Sequence, residues 1–352
     1  MLSNSQADKT RHSQISRLQA LPRSFFRGVS QEARDWPEWW RRLSPVQKSL
    51  PTLLVLLYWW SLHLLGGFRD DHWNMGLIIL VLCYAGRKAR VLFQFLFPAI
   101  LTAILYDSQR FYSDYIRMAV HVQEPYNFDR RFFGIQGPTG TLTPNEWCQL
   151  HTHPILDLIT GFFYLFFIAI FVGICARFRF FLSRTGTWKQ TAVTIMRESP
   201  RMMWSFFWLN MLGYSTYYWY PAAPPWYVAQ YGLGPANMTA RPSAAGCLRF
   251  DQILGTHFFT GMYGRSADIF GAVPSLHIAY PLVAVLFAFR FGAMRTFSIG
   301  FYLIMCFSAV YLNHHYILDI LWGSTYAVLI VAILNAHGDR KLLKQDELSA
   351  LS

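Results

Sequence analysis

Charge is what this sequence has least of. Lys, Arg, Asp and Glu together make up 14% of its 352 residues, where a soluble domain carries about 25%. Too few charges are left to coat a water-facing surface of ordinary size. Cysteine is also scarce, at 5 residues, which excludes a disulfide-stapled secreted module. Acidic residues number 19 against 31 basic ones, and no internal repeat or low-complexity tract is visible. What is abundant is apolar: 53% of the chain is hydrophobic and 18% aromatic, a load that excludes intrinsic disorder. The formal net charge of +12 raises a nucleic-acid partner as one reading, and the placement of the basic residues tests it.

Eight apolar runs can be marked, at 49–68, 74–86, 91–107, 155–177, 202–220, 275–291, 296–313 and 317–335. A helix crossing the hydrocarbon layer needs about 17–20 residues, so most runs suffice and the short second one is half-inserted or tilted. Six to eight crossings follow. With a cytoplasmic N-terminus, 23 Lys and Arg fall on the cytoplasmic side and 8 on the other, as expected when basic loops are retained inside. The positive charge therefore reads as membrane topology, and no nucleic acid is needed. Residues 1–48 are polar, basic and tipped by Trp36, Trp39 and Trp40; lacking an apolar core before a cleavage site, they read as a cytoplasmic tail ending in an interfacial stretch rather than a signal peptide. The expected organisation is a tail (1–48), N-terminal transmembrane helices with an outer loop at 108–154 (49–198), a catalytic transmembrane core with an outer loop at 221–274 (199–336), and a second cytoplasmic tail (337–352).

Long loops are uncommon unless they serve a function, so chemistry is expected on the non-cytoplasmic side. Cys83, Cys175 and Cys306 lie inside apolar runs and read as packing residues. Cys148 and Cys247 lie in the two outer loops, where an oxidising compartment would let them bridge. Arg110, Asp114, Arg117 and His121 recur at intervals of four, three and four, which lines them on one helix face. That face meets either an anionic head group or solvent. His153 and Asp157 open the fourth run, as acceptors for a hydroxyl-rich ligand or as a local helix cap. Arg241, Arg249 and Arg265 are the second loop's candidate phosphate cations.

The histidines sharpen the picture. His277 stands where the second outer loop enters the sixth run, and His315 where the last outer turn enters the eighth. Both fall at one membrane face, where ionisable groups are expensive and tend to be functional. His315 and Asp319 are four apart, hence neighbours on a helix face. A carboxylate there takes the proton of one imidazole nitrogen and leaves the other more nucleophilic. His277 is then free to trade a proton with a leaving or attacking oxygen. Metal binding is the weaker reading, because the adjacent His314 and His315 point in different directions. No metal or other cofactor is expected.

Pro274-Ser275-Leu276-His277 and His315-Tyr316-Ile317-Leu318-Asp319 resemble the second and third motifs of the type-2 phosphatidic acid phosphatase superfamily. Tyr220-Pro221-Ala222-Ala223-Pro224-Pro225-Trp226-Tyr227 and Tyr231-Gly232-Leu233-Gly234-Pro235-Ala236-Asn237 bring the likeness closer to the fungal inositol phosphorylceramide synthases, the targets of aureobasidin. The resemblance is dense over 200–335 and thinner upstream. It implies an all-α polytopic membrane protein with a six-helix catalytic core of the phosphatidic-acid-phosphatase type plus one or two peripheral helices. It also implies His315 as nucleophile on phosphorus, Asp319 as its orienting carboxylate and His277 as general acid–base. Ser275 and His314, inside the motifs, join the candidate substrate contacts.

The departures from the phosphatase pattern carry information. Phosphatases of this superfamily place an Arg six residues before the nucleophile, where this chain has Ala309, and a Lys in the first motif, where Gly234 stands before Arg241. A phosphate monoester, with nearly two negative charges, calls for several fixed cations; a diester carries one charge. Their loss argues for head-group transfer: inositol phosphate from phosphatidylinositol onto a ceramide-type hydroxyl, through a phosphohistidine and with release of diacylglycerol. A lipid phosphate phosphatase, or transfer of another head group, is the alternative. The expected location is a bacterial inner membrane, or otherwise the Golgi, with the site facing away from the cytoplasm. A regulatory subunit of the kind fungal relatives use is a further expected possibility.

Overall fold

The computed structural model describes residues 31–138, 140–182, 195, 198–264 and 269–350, with the backbone alone at 114 and 341–350. It divides into two compact units, Met1–Phe97 and Pro98–Ser352.

In the first unit, a helix over 31–42 (α1) is followed by α2 (Pro45–Leu64), α3 (Asp70–Tyr84) and the start of α4 (Arg87–Ser108). The three tryptophans of the tail, Trp36, Trp39 and Trp40, all lie on α1. Trp36 and Trp40 stack with ring centroids 5.4 Å apart, and the Trp36 indole N–H donates to the Tyr84 carbonyl at 2.7 Å. Ser44 starts α2 with a reciprocal cap: its hydroxyl accepts the Gln47 N–H, and its own N–H donates to the Gln47 side chain. Helices α2 and α3 pack closely at Gly76, where a β-carbon would fall 2.4 Å from the Trp59 ring.

The second unit holds the rest of α4 and the helices α5 (Ser113–Ile116), α6 (Gln123–Phe132), α7 (Pro144–Leu150) and α8 (Pro154–Ala176). They are followed by α9 (Pro200–Trp219), α10 (Pro225–Tyr231), α11 (Cys247–Leu254) and α12 (Phe258–Tyr263). The last three are α13 (Leu276–Phe291), α14 (Arg295–Tyr311) and α15 (Ile317–Ala350). A two-stranded antiparallel ribbon, β1 (Ile135–Gly137) and β2 (Gly140–Leu142), stands before α7. All eight apolar runs are helices. Among the described residues, Arg87–Phe111, Pro154–Leu182 and Ile317–Arg340 are long and apolar enough to cross a membrane, whereas Leu276–Phe291 and Arg295–Tyr311 are apolar but shorter.

The core of this unit is a six-helix bundle. Helix α13 packs against α8, α9, α14 and α15; α9 packs against α15 and α8 against α14. The end of α4 joins through Tyr106, whose ring lies 5.8 Å from that of Tyr214 on α9. The tightest crossing is at Gly323 on α15, where a β-carbon would fall 2.3 Å from the Ser275 main-chain oxygen. Only a residue without a side chain lets α15 lie on the start of α13. At the same crossing the Ser275 N–H donates to the Asp319 main-chain carbonyl at 3.0 Å.

The opposite end of the bundle is tied by an ionic cluster. Arg290 on α13 meets Glu198 at 2.5 Å and Asp339 on α15 at 3.0 Å, and Arg201 on α9 meets Asp339 at 2.8 Å. Glu198 is 5% exposed. Removing one partner of a buried ion pair strands the other and costs about 3–5 kcal/mol. Glu198→Ala is therefore expected to lower the thermal unfolding midpoint in detergent clearly, while Asp339→Ala, at a half-exposed position, lowers it less.

The two long loops are more ordered than their length suggests, and one expectation is corrected. Arg110, Asp114, Arg117 and His121 do not share a helix face: α4 ends at Ser108, a 3-10 turn covers Gln109–Phe111, and α5 ends at Ile116 with Arg117 already extended. His121 pairs in parallel with Ala222, and Ala222 with Gly271. These main-chain bonds recruit the segment more strongly than a solvated helix turn would.

Candidate active site

The turn between α14 and α15 carries the central residue. Helix α14 ends with Asn313 in the left-handed region (φ 61°), a conformation that short polar side chains tolerate. The N–H groups of His314 and His315 then both return to the Ala309 carbonyl, at 3.1 and 3.0 Å. His315 thus precedes α15 instead of lying on it. Its contact with Asp319 is made across the helix start, not along a helix face.

The ring of His315 is 6% exposed. Its Nδ1 lies 3.0 Å from the Ala272 carbonyl and 3.2 Å from Asp319 Oδ2. Two acceptors on that side assign it the proton, so Nε2 carries the lone pair. Nε2 in turn lies 3.1 Å from His277 Nδ1, and this network makes His277 the donor. His277 is held in the first turn of α13 by stacking on Tyr164 (4.4 Å, 11°) and contact with Phe167 (4.5 Å). Asp319 is fully buried, and its Oδ2 also accepts the Tyr316 N–H at 2.9 Å. The arrangement holds a nucleophilic nitrogen, an oriented tautomer and a second imidazole within one hydrogen bond of each other. Among the described residues no cluster of His, Cys, Asp and Glu could hold a metal ion.

The other expected contacts fall in different places. Ser275 is buried at the Gly323 crossing, and its Oγ has no hydrogen-bond partner among the described residues. His314 faces Ala244 O at 3.1 Å and Cys247 Sγ at 3.3 Å and stacks on Tyr263. Burial pushes its pKa down to about 3, so it is a neutral packing group. His153 caps α8, accepting the Ile155 N–H. Asp157 is not a local cap: it pairs with Arg249 at 2.6 Å, and Arg249 also donates to Gln149 at 3.0 Å. Arg249 is thereby neutralised by a carboxylate. Arg110 pairs with Asp107 within its own turn, and Arg241 is exposed. Arg117 lies over the Phe270 ring, 5.4 Å from its centroid, two residues from the carbonyl that holds His315. Arg265 lies outside the described residues. Cys148 and Cys247 are both buried free thiols, with Cys247 beside His314; no bridge forms.

Two residues of the first long loop were not singled out by the sequence. Asp129 on α6, with no exposed surface, accepts the N–H groups of Ile317 at 2.7 Å and Leu318 at 3.0 Å. Burial pushes its pKa up to about 7, the two N–H bonds opposing that rise and the nearby Asp319 adding to it. Asn145 on α7 donates to the main-chain oxygens of Val310 and His315, both at 3.0 Å. Beside this turn opens a cavity of about 600 Å³ whose polar lining includes Tyr126, Asn145, Glu146, Gln149, Asn313 and Tyr316. Nothing in the local sequence of Asp129 or Asn145 marks them, since their partners are more than 160 residues away.

A six-helix membrane bundle with a paired-histidine centre oriented by a carboxylate defines the class, and comparison with known proteins agrees. The pattern of the PAP2 superfamily matches residues 141–333, and the chain belongs to that superfamily. It is 33% identical over 293 residues to the phosphoinositol dihydroceramide synthase of Bacteroides thetaiotaomicron, covering 81% of this chain and 91% of that one. It is 30% identical to the inositol phosphorylceramide synthase catalytic subunit aur1 of Schizosaccharomyces pombe, over 67% of this chain and 53% of the relative. The corresponding subunit of Saccharomyces cerevisiae is 36% identical over 35% of this chain and 31% of its own length. No solved structure matches. The protein is an integral membrane enzyme, a transferase.

Proposed function

We propose that this enzyme moves inositol phosphate from phosphatidylinositol to the primary hydroxyl of a ceramide-type lipid. The observation that carries the reading is the 3.1 Å contact of His277 Nδ1 with the lone-pair nitrogen of His315, whose other nitrogen faces Asp319. Nε2 of His315 attacks phosphorus, and the bond from phosphorus to the diacylglycerol oxygen breaks. His277 gives a proton to that oxygen, and diacylglycerol leaves. The acceptor hydroxyl then returns a proton to His277 and attacks the phosphohistidine, releasing the new lipid and His315. Asp319 holds the Nδ1 proton throughout and offsets the positive charge on the phosphorylated ring.

The single negative charge of a diester suits the sparse cations. Ala309 stands where the phosphatases carry an Arg, and Arg249 is bound to Asp157. The names of the relatives support the acceptor class, and the bacterial relative supports a bacterial inner membrane. The basic-residue bias supports a site facing away from the cytoplasm.

The test is mass spectrometry of lipids from an expressing host supplied with inositol and ceramide. A new inositol-phosphate sphingolipid that disappears when either supplement is withheld is expected. Free phosphate from phosphatidic acid, with no such lipid, would favour a phosphatase instead.

A further inference from the structure

We propose that Asp129 is a positioning residue for the His315–Asp319 pair, acting through the first turn of α15. The inference rests on the reading of His315 as the reacting group. A helix start leaves several N–H groups without intrahelical partners, ordinarily satisfied by Ser, Thr, Asp or Asn at the cap. Here the cap position is Tyr316, whose side chain does not serve. The N–H groups of Ile317 and Leu318 are satisfied instead by the carboxylate of Asp129, from a helix 188 residues earlier in the chain. The Tyr316 N–H goes to Asp319 itself. Between them the two carboxylates take three consecutive N–H groups.

For stability alone this is an expensive solution. It buries a carboxylate completely, next to a second buried carboxylate, where a local Ser or Asp at position 316 would cap the helix in water at little cost. What the distant cap adds is geometry. Two bonds to successive N–H groups, at 2.7 and 3.0 Å, fix the rotation of the first turn about the α15 axis. Asp319 is the next residue, and successive residues are about 100° apart around a helix. Its direction toward His315 is therefore set by the bonds to Asp129. Asn145 secures the other side of the turn through the His315 carbonyl.

The experiment compares Asp129→Asn and Asp129→Ala with the full-length wild-type enzyme in nanodiscs. The asparagine keeps the shape and one acceptor but loses the charge and the second acceptor. The expected kcat for head-group transfer is about 10–100-fold lower, the loss of one charge-assisted bond, with KM for both lipids within about twofold. The alanine variant falls further. Amide hydrogen exchange of the peptide spanning Ile317 and Leu318 is expected to quicken at least about tenfold, with the far end of α15 unchanged. Wild-type kcat in Asp129→Asn, or unaltered exchange at that peptide, overturns the proposal. So does a kcat loss that merely tracks the loss of folded protein. If His315→Ala kept full activity, the reading of the site would fail instead, a result that the exchange measurement does not depend on.

Discussion

Alanine at position 315 is expected to abolish head-group transfer, with turnover falling by about 10⁴-fold or more, while the bundle stays folded. Loss of a covalent nucleophile costs this much because no neighbouring group can take over the attack. Folding survives because the turn is held by its main chain. The His315 carbonyl still receives Asn145, its N–H still reaches Ala309, and Asp129 still caps α15. His277→Ala is expected to cost about 10²–10⁴-fold, the usual contribution of a general acid–base. Part of that loss should return with an inositol phosphodiester whose leaving group is acidic enough to depart unprotonated. Product formation by mass spectrometry, with thermal unfolding as the folding control, checks all three results. An active His315→Ala enzyme, or a His277→Ala enzyme indifferent to the leaving group, would leave the two-step mechanism without support.

Gly323→Ala is expected to damage the enzyme almost as severely by a different route. The added carbon would lie 2.3 Å from the Ser275 main-chain oxygen, and a main-chain atom cannot swing aside. The helices must separate, which costs about 1–3 kcal/mol or more in a packed interior. The same shift breaks the bond from the Ser275 N–H to Asp319 and pulls His277 away from His315. Lower thermal stability and a large fall in kcat are therefore expected together. Gly300→Ala on α14 is the matched control, because nothing lies within 4 Å of the carbon it would add. If both substitutions behaved alike, the crossing at Ser275 would not be the constraint inferred here.

The legible and illegible parts of this protein separate along physical lines. The eight apolar runs became eight helices, because an apolar stretch of that length has few other ways to satisfy its backbone in lipid. His277, His315 and Asp319 were legible because the topology alone puts them at one end of the bundle. The spacing of Arg110, Asp114, Arg117 and His121 misled, since main-chain pairing of His121 with Ala222 outweighs a solvated helical turn. The Cys148–Cys247 pairing failed for a related reason: both thiols are packed in the interior, and Cys247 is engaged by His314. Asp157 looked like a local cap or a ligand acceptor, and its partner proved to be Arg249, 92 residues away.

Composition and order along the chain were enough to specify a membrane bundle, its helices and the residue types at its reactive end, since these depend on solvent transfer and on short-range spacing. They could not specify which nitrogen of His315 is free, what caps α15, or where α15 crosses α13. Those depend on carboxylates, carbonyls and a glycine that meet only after distant segments pack. Their directional bonds, effective over about 3 Å, turn a cluster of polar residues into an oriented reaction centre.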